Sequence, residues 1–242
     1  MVDPTPPRGH IITIDGPAGA GKSSVARRLA ERLGMCFLDT GAMYRGVAAA
    51  VLDAGADPAD PRAAADIAEQ LHIRFNWDQD PPGLRIDGRD VTHRLRDPDV
   101  TEAVSQIATN PRVRAVLVRA QRKIGHTQPD LVTEGRDQGS VVFPDAPVKF
   151  YLDASPRVRA RRRAEQLRAA GYDADEAVIL EQIRQRDHRD STRRDGPLIQ
   201  PDDAIVMDSS DMTLDRVVEA LADRAARKLA AERPADAAGE RG

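Results

Sequence analysis

The chain has 242 residues, 40% hydrophobic and 31% charged, the profile of a soluble globular protein long enough to bury a full core as one domain. Its net charge of −3 excludes the global basic field that drives non-specific nucleic-acid binding, and 3% aromatic residues make a poor base-stacking platform. A single cysteine, Cys36, excludes an internal disulfide framework; no run is apolar enough to span a bilayer, and residues 1–9 lack the apolar stretch of a secretory signal, so a cytoplasmic protein is expected.

His10 to Asp15 reads as a buried strand and Ser24 to Leu33 as a helix. Between them Gly16-Pro17-Ala18-Gly19-Ala20-Gly21-Lys22-Ser23 fits G-x-x-x-x-G-K-S, the phosphate-binding loop, in the strand–loop–helix context that the motif needs. Glycines let the backbone approach an anion, the freed N–H groups face its oxygens, Lys22 reaches the outer phosphates and Ser23 is placed to hold Mg²⁺. Met35 to Leu38 is a second short strand, with Cys36 as a small core residue; Asp39-Thr40-Gly41 is a turn and helix cap, and Met43 to Leu52 is helical. Pro61 opens a helix through Leu71. Leu71 to Asn76 then alternates apolar and polar, and Leu84 to Val91 reads as a hairpin turning at Asp87-Gly88. This predicts a small antiparallel lobe, roughly residues 58–97, inserted into the main domain.

Two helices, Asp99 to Thr109 and Arg112 to Ile124, precede a short strand, Leu131 to Thr133, that runs into Glu134-Gly135-Arg136-Asp137. Val148 to Leu152 is a strand, Pro156 opens an Arg-rich helix ending near Gly171, and Asp175 to Arg189 is helical. A loop with two prolines, a last strand (Ala204 to Met207) and a last helix (Leu214 to Ala231) follow, and 232–242, like 1–9, reads as a disordered tail. Short apolar strands alternating with helices define an α/β protein with a mainly parallel sheet covered on both faces. In such sheets ligands bind beyond the carboxyl ends of the strands, so the loops after Asp15, Leu38, Thr133 and Leu152 are the place to look.

Those loops pair arginines with carboxylates: Asp39 to Arg45, Glu134 to Asp137, and Arg186 to Arg194. Arginine keeps its charge and grips phosphate with a rigid fork, so a phosphate loop plus several loop arginines predicts two phosphorylated ligands. Bringing two polyanions together costs Coulomb energy that Lys22, Mg²⁺ and the arginines offset. A phosphate acceptor is already largely ionised near neutral pH, so such a kinase needs no dedicated base. The five histidines have no metal-ligand spacing, and Trp77, beside a turn, reads as packing.

The segments Ile12 to Pro17, Leu38 to Arg45, Gly135-Arg136-Asp137, Val142 to Ala146 and Arg186-Asp187 through Arg193 together resemble the bacterial cytidylate (CMP) kinase family, in the same order, over about Ile11 to Leu229. The resemblance implies transfer of the γ-phosphoryl group of ATP, with Mg²⁺, to CMP or dCMP. It implies a P-loop NTPase fold of the nucleoside monophosphate kinase kind: a doubly wound sheet over residues 10–231, an inserted monophosphate-binding lobe and a mobile Arg-rich lid at about 156–194. By position, Gly16, Pro17, Ala18, Gly19, Ala20, Gly21, Lys22, Ser23 and Ser24 fall to ATP, and Arg162 and Arg163 match lid arginines that close over it. Thr40, Tyr44, Arg45, Arg136 and Arg193 match acceptor-phosphate positions, Arg186 and Asp190 ribose contacts, and Ser105, Arg114 and Asp137 the surroundings of cytosine. Lys22, Arg136, Arg162 and Arg193 are the residues expected to act in catalysis. The chain departs from the family pattern at Glu134, where aspartate is frequent, and at Gln138, in place of an apolar residue. A monomer acting on ATP and CMP or dCMP, without nucleic acid or membrane, is expected. The nearest rival reading is a kinase of the same kind with a different acceptor, UMP or a small metabolite; the others are a P-loop switch, for which Gln138 is the one candidate water-positioning group, and a nucleic-acid module built on Arg157 to Arg168.

Overall fold

The computed structural model describes residues 10–128 and 130–231; the two tails expected at 1–9 and 232–242 lie outside the described residues. Five strands, β1 (Ile11–Asp15), β2 (Cys36–Asp39), β6 (Leu131–Gly135), β7 (Val148–Asp153) and β8 (Ile205–Asp208), form one sheet in the order β2-β6-β1-β7-β8, every pair parallel. The chain visits one edge at β2 and returns beside β1 through β6 before crossing to β7. The connections therefore diverge next to β1, and a crevice opens at the carboxyl ends of the strands.

Alternation along the strands feeds two cores. Leu38 and Leu131 face one side, with Met43 and Val47 of α2 (Thr40–Asp53) and Leu117 of α5 (Pro111–Thr127). Phe37, Val132, Ile12, Ile14 and Phe150 face the other, with Val25 and Leu29 of α1 (Lys22–Leu33) and Val217 and Leu221 of α8 (Leu214–Ala231). Strands buried on both faces need apolar residues at consecutive positions, which is the pattern the sequence carries. Among the described residues no helix is long and apolar enough to cross a membrane.

The antiparallel sheet is present as β3 (Ile73–Asn76), β4 (Gly83–Ile86) and β5 (Arg89–Asp90). Its hairpin turns at Asp87 and Gly88, both with positive φ (50° and 81°), as a two-residue turn matched to strand twist requires. Phe75, Leu84 and Ile86 lay their apolar face on α2 and join the first core cluster together with Ala64 and Ala68 of α3 (Pro61–Gln70) and Val100 and Ile107 of α4 (Pro98–Ile107). Trp77 packs on Phe75 with ring centroids 5.5 Å apart. Gly46 of α2 is where helix and sheet touch, since a Cβ there would press on Leu84 and Ile86. The Arg-rich helix α6 (Pro156–Ala169) and α7 (Glu176–Thr192) form a hairpin with a small core of its own, Ala160, Ala164, Ala174, Ile179 and Ile183.

Boundaries moved where side chains satisfy helix ends. Asp39 accepts the Ala42 N–H, so α2 starts at Thr40, three residues earlier than its apolar pattern suggests. Ser191 and Thr192 hydroxyls donate to the carbonyls of Asp187 and His188, and α7 runs past the expected Arg189 to Thr192. Asp60, Asn110, Ser155 and Asp175 cap α3, α5, α6 and α7 in the same way as Asp39, each cap worth ~1 kcal/mol. Residues 138–142 form a turn of wide π-helical winding that the sequence did not announce.

Gly16 leaves β1 with φ of 151°, pressed so closely on β7 that a Cβ would overlap the Leu152 carbonyl oxygen. Gly16→Ala is expected to lower the urea midpoint by an amount equivalent to ~1–3 kcal/mol and to abolish polyphosphate binding by the refolded protein, measured by denaturation and calorimetry.

Candidate active site

The loop between β1 and α1 is wrapped so that its backbone faces inward. Gly19 and Gly21 have φ of 79° and 88°, and Gly21 occupies the N-cap of α1 in the left-handed region, leaving the helix N-terminus without a side-chain cap. Such a terminus presents unsatisfied N–H groups and the positive end of a dipole, the arrangement that binds phosphate. Lys22, buried at the first turn, folds back to donate to the Pro17 carbonyl at 2.8 Å. Ser23 donates to Glu134 Oε1 at 2.6 Å. Ser24 is exposed on the outer side of the same turn.

Three strands end abreast around this loop, with Asp15 level with Gly135 and Asp39 level with Glu134. Thr40 donates to the Glu134 carbonyl at 2.7 Å, which ties α2 to β6. Arg45, one helical turn further on, donates to Asp39 Oδ2 at 3.0 Å. Arg136 donates from Nε to Asp190 Oδ2 at 2.8 Å, joining β6 to α7. Arg114 of α5 forms a buried ion pair with Asp137 and donates to the Tyr44 hydroxyl at 3.1 Å. Arg193 donates to the Gly196 carbonyl, and its Nη2 lies 3.9 Å from Asp137 Oδ1. Gly196, φ 57°, sits against the Arg114–Asp137 pair so tightly that a Cβ would overlap both partners.

Burial, with Arg136 and Arg186 close by, pulls the Lys22 ammonium down to about 7. Arg186 has no hydrogen-bonded acceptor among the described residues; burial and the nearby Arg136 pull it to about 10. Arg45 Nε and Arg193 Nη2 are buried donors without a hydrogen-bond partner. Burial and Asp39 push the Glu134 carboxyl above the usual range, and burial raises the Tyr44 hydroxyl to about 12, so it remains protonated. Orphaned cationic donors aimed into a polar crevice are the complement of an anion with several oxygens.

Of the residues singled out from sequence, Lys22, Ser23, Thr40, Tyr44, Arg45, Arg114, Arg136, Asp137, Arg186, Asp190 and Arg193 converge on this crevice. Ser105 is half-buried on α4 with no side-chain hydrogen bond described. Arg162 instead donates to the Ser209 carbonyl at 2.6 Å, and Arg163 is exposed. Their neighbour Arg159, absent from the sequence-based set, is the lid arginine that reaches the loop: buried, it donates to the Ala18 carbonyl at 3.0 Å and pairs with Asp187 at 2.7 Å. Asp15, Glu134 and Gly196 complete the list of residues that sequence reasoning passed over or left without a role. Gln138 is enclosed between the Thr133 hydroxyl (2.9 Å) and Gln121 (3.1 Å), so its amide holds the loop from behind.

The parallel sheet with its glycine loop, lid hairpin and second sheet defines a P-loop protein of the nucleoside monophosphate kinase class. A protein from Eubacterium ventriosum, described only as uncharacterized, shares the fold at a TM-score of 0.50 and 15% identity, over 90% of this chain and 99% of its own. The family model for cytidylate kinase matches residues 12–227, and the chain belongs to that family. It is 47% identical over 213 residues to the cytidylate kinase of Mycobacterium avium, covering 88% of this chain and 93% of that one. It is also 47% identical over 218 residues to the bifunctional pantoate ligase/cytidylate kinase of a Synechococcus species; 89% of this chain but only 44% of that protein is matched, so the chain spans less than half the length of such relatives.

Binding a polyphosphate next to Lys22 restores the proton that burial and the arginines drive off. The sign follows: affinity is highest below about pH 7 and falls as pH rises through the free-protein value. Calorimetry of ATP binding at about pH 8 in buffers of different ionisation enthalpy is expected to show net proton uptake; its absence places Lys22 as charged before the ligand arrives.

Proposed function

We propose that the protein transfers the γ-phosphoryl group of MgATP to CMP or dCMP, giving ADP and CDP or dCDP, as a cytoplasmic monomer. The observation that carries this reading is the buried Arg114–Asp137 pair set beside buried arginine donors that lack partners. Cytosine offers an N4 amino donor and an N3 acceptor. Asp137 accepts the first and Arg114 donates to the second. Uracil reverses both groups and would leave the carboxylate and the guanidinium without partners in a buried site, which rejects it strongly. Arg45, Arg136 and Arg193 take the acceptor phosphate, with Thr40 and Tyr44 at its edge; Arg186 and Asp190 take the ribose, and Ser105 borders the base. The three-stranded sheet then belongs to the acceptor-binding lobe, and α6 and α7 form the lid.

The chemistry needs little from the protein beyond position and charge. An acceptor phosphate oxygen is ionised and attacks in line, and Lys22, Arg136 and Arg193 stabilise the charge spread over the transferring group. Ser23 and Glu134, with Asp39 behind, supply oxygens only, the donor set of a hard divalent cation that keeps its other sites for phosphate and water. Mg²⁺ held by these residues would supply positive charge against that of the phosphates. Arg159 ties the lid to the loop through Ala18 and Asp187. Arg162 is held by the Ser209 carbonyl and must leave it to reach ATP, with Arg163 following on the same helix. Such a closing lid excludes water and limits wasteful hydrolysis.

The test is ADP formation from MgATP with CMP, dCMP, UMP, AMP or GMP and without acceptor. Turnover confined to CMP and dCMP is expected; turnover indifferent to acceptor overturns the proposal in favour of an NTPase. Asp137→Ala is expected to cut the preference for CMP over UMP at least ~10-fold, whereas Arg193→Ala lowers kcat/KM ~100-fold or more for every acceptor, both read from steady-state kinetics.

A further inference from the structure

Asp15 is the last residue of β1, immediately before Gly16, and only 1% of its surface is exposed. Its carboxylate reaches across the sheet to the segment that follows β6. Oδ1 accepts the Gln138 N–H at 2.8 Å and Oδ2 the Gly139 N–H at 2.7 Å. These are the first two N–H groups of the helical turn 138–142. The N-cap of that turn is Asp137, at φ −146° and ψ 26°, yet the Asp137 side chain caps nothing. An aspartate at an N-cap ordinarily bonds the N–H groups of its own turn. Here one of the two groups that an N-cap side chain ordinarily takes, the N–H of the second residue, Gly139, is already held by Asp15. Asp137 is thereby free to hold Arg114 with Oδ2, while Oδ1 keeps only the 3.9 Å contact with Arg193.

We propose that Asp15 is a positioning residue for base selection: by capping the 138–142 turn from the neighbouring strand, it keeps the Asp137 carboxylate turned toward Arg114 and open to the base. This rests on the reading of Asp137 as the group that meets cytosine. Two features support a directing role over a merely structural one. Asp15 spends both oxygens on the one turn that follows Asp137, and the register of β1 with β6 (Asp15 level with Gly135) brings it there without a bend in either strand. The same residue also begins the loop that holds ATP in this reading, so the two nucleotide sites share one anchor. An asparagine in its place has one acceptor oxygen and turns an amide donor toward the second N–H. The cheapest repair is rotation of the Asp137 carboxylate back onto its own turn, away from the base.

The experiment measures kcat/KM for CMP and for UMP, with melting temperature as a companion, in the wild type, Asp15→Asn, Asp137→Asn and the double variant. The CMP-to-UMP ratio is expected to fall ~10-fold in D15N, and the double variant to match D137N with no further fall, because Asp15 acts through Asp137. A D15N enzyme that loses activity equally on both acceptors and keeps its ratio overturns the inference, as does a D15N loss that adds in full to that of D137N. If the ratio survives in D137N as well, or the wild type shows no preference, the assignment of base reading itself fails and takes the inference with it. Should D15N not fold, Asp15→Ser, which keeps one acceptor in a smaller side chain, is subjected to the same comparison and the same criteria.

Discussion

Like charges crowded into one water-poor crevice set the terms for the rest of this structure. Lys22, Arg45, Arg136, Arg186 and Arg193 gather at the carboxyl ends of the parallel strands, and burial, with Arg136 and Arg186 close by, drives the ammonium of Lys22 to about 7. Such a cluster repels itself and resists burial. Three of its members are tied by hydrogen bonds: Lys22 to the Pro17 carbonyl of its own loop, Arg45 to Asp39 at the head of α2, and Arg136 to Asp190 on α7. An anion bound among these cations would relieve their repulsion, and donors already held in place need little reorganisation to receive it.

The frame that carries these ties is stiff for simple reasons. Parallel strands buried on both faces let neither β1 nor β6 slip, since a one-residue shift would send the Leu131 side and the Val132 side into each other's cores. Gly16 closes on the Leu152 carbonyl, so the phosphate loop is seated against β7 as well as β1. By contrast, the α6–α7 hairpin has a core of five small or medium side chains, mostly alanine, and meets the loop through polar contacts of Arg159. Little apolar area holds it down, and elements of that kind open at low cost. A rigid loop and a loosely seated hairpin are what the proposed phosphoryl transfer requires of the two sides of the crevice.

Arginine's part differs from site to site within the molecule. On the surface Arg94 gathers Asp53, Asp97 and Asp99, linking α2 to the start of α4, and Arg112 gathers Asp66 and Glu69, linking α5 to α3, in pairs of modest worth. In the crevice the same side chain is held with donors to spare. The difference lies in the buried donors left without a partner, and these, more than the presence of arginine, mark the site.

Much was legible in the chain itself. The glycine loop, the short apolar strands and the alternation through Phe75 and Leu84 are local patterns with one physical meaning each, so the parallel sheet, the hairpin at Asp87-Gly88 and the helices follow from residue type and spacing. The carboxylate–arginine loops likewise announced a polyanion site, and the order of motifs announced the family. What local pattern could not announce were contacts between residues far apart in sequence whose types are common: Asp15 on the backbone of Gln138 and Gly139, Ser23 on Glu134, Arg159 rather than Arg162 on the phosphate loop, Gly196 over the Arg114–Asp137 pair. An aspartate ending a strand looks the same whether it faces solvent or caps a turn on the next strand. Strand order and register decide which, because they alone set what lies about 5 Å to the side. The sequence by itself determined the elements, the phosphate loop and the family; the tertiary structure decided which arginine donors remain without partners and which distant strand residue caps the turn after Asp137, because only strand order and register bring those groups together.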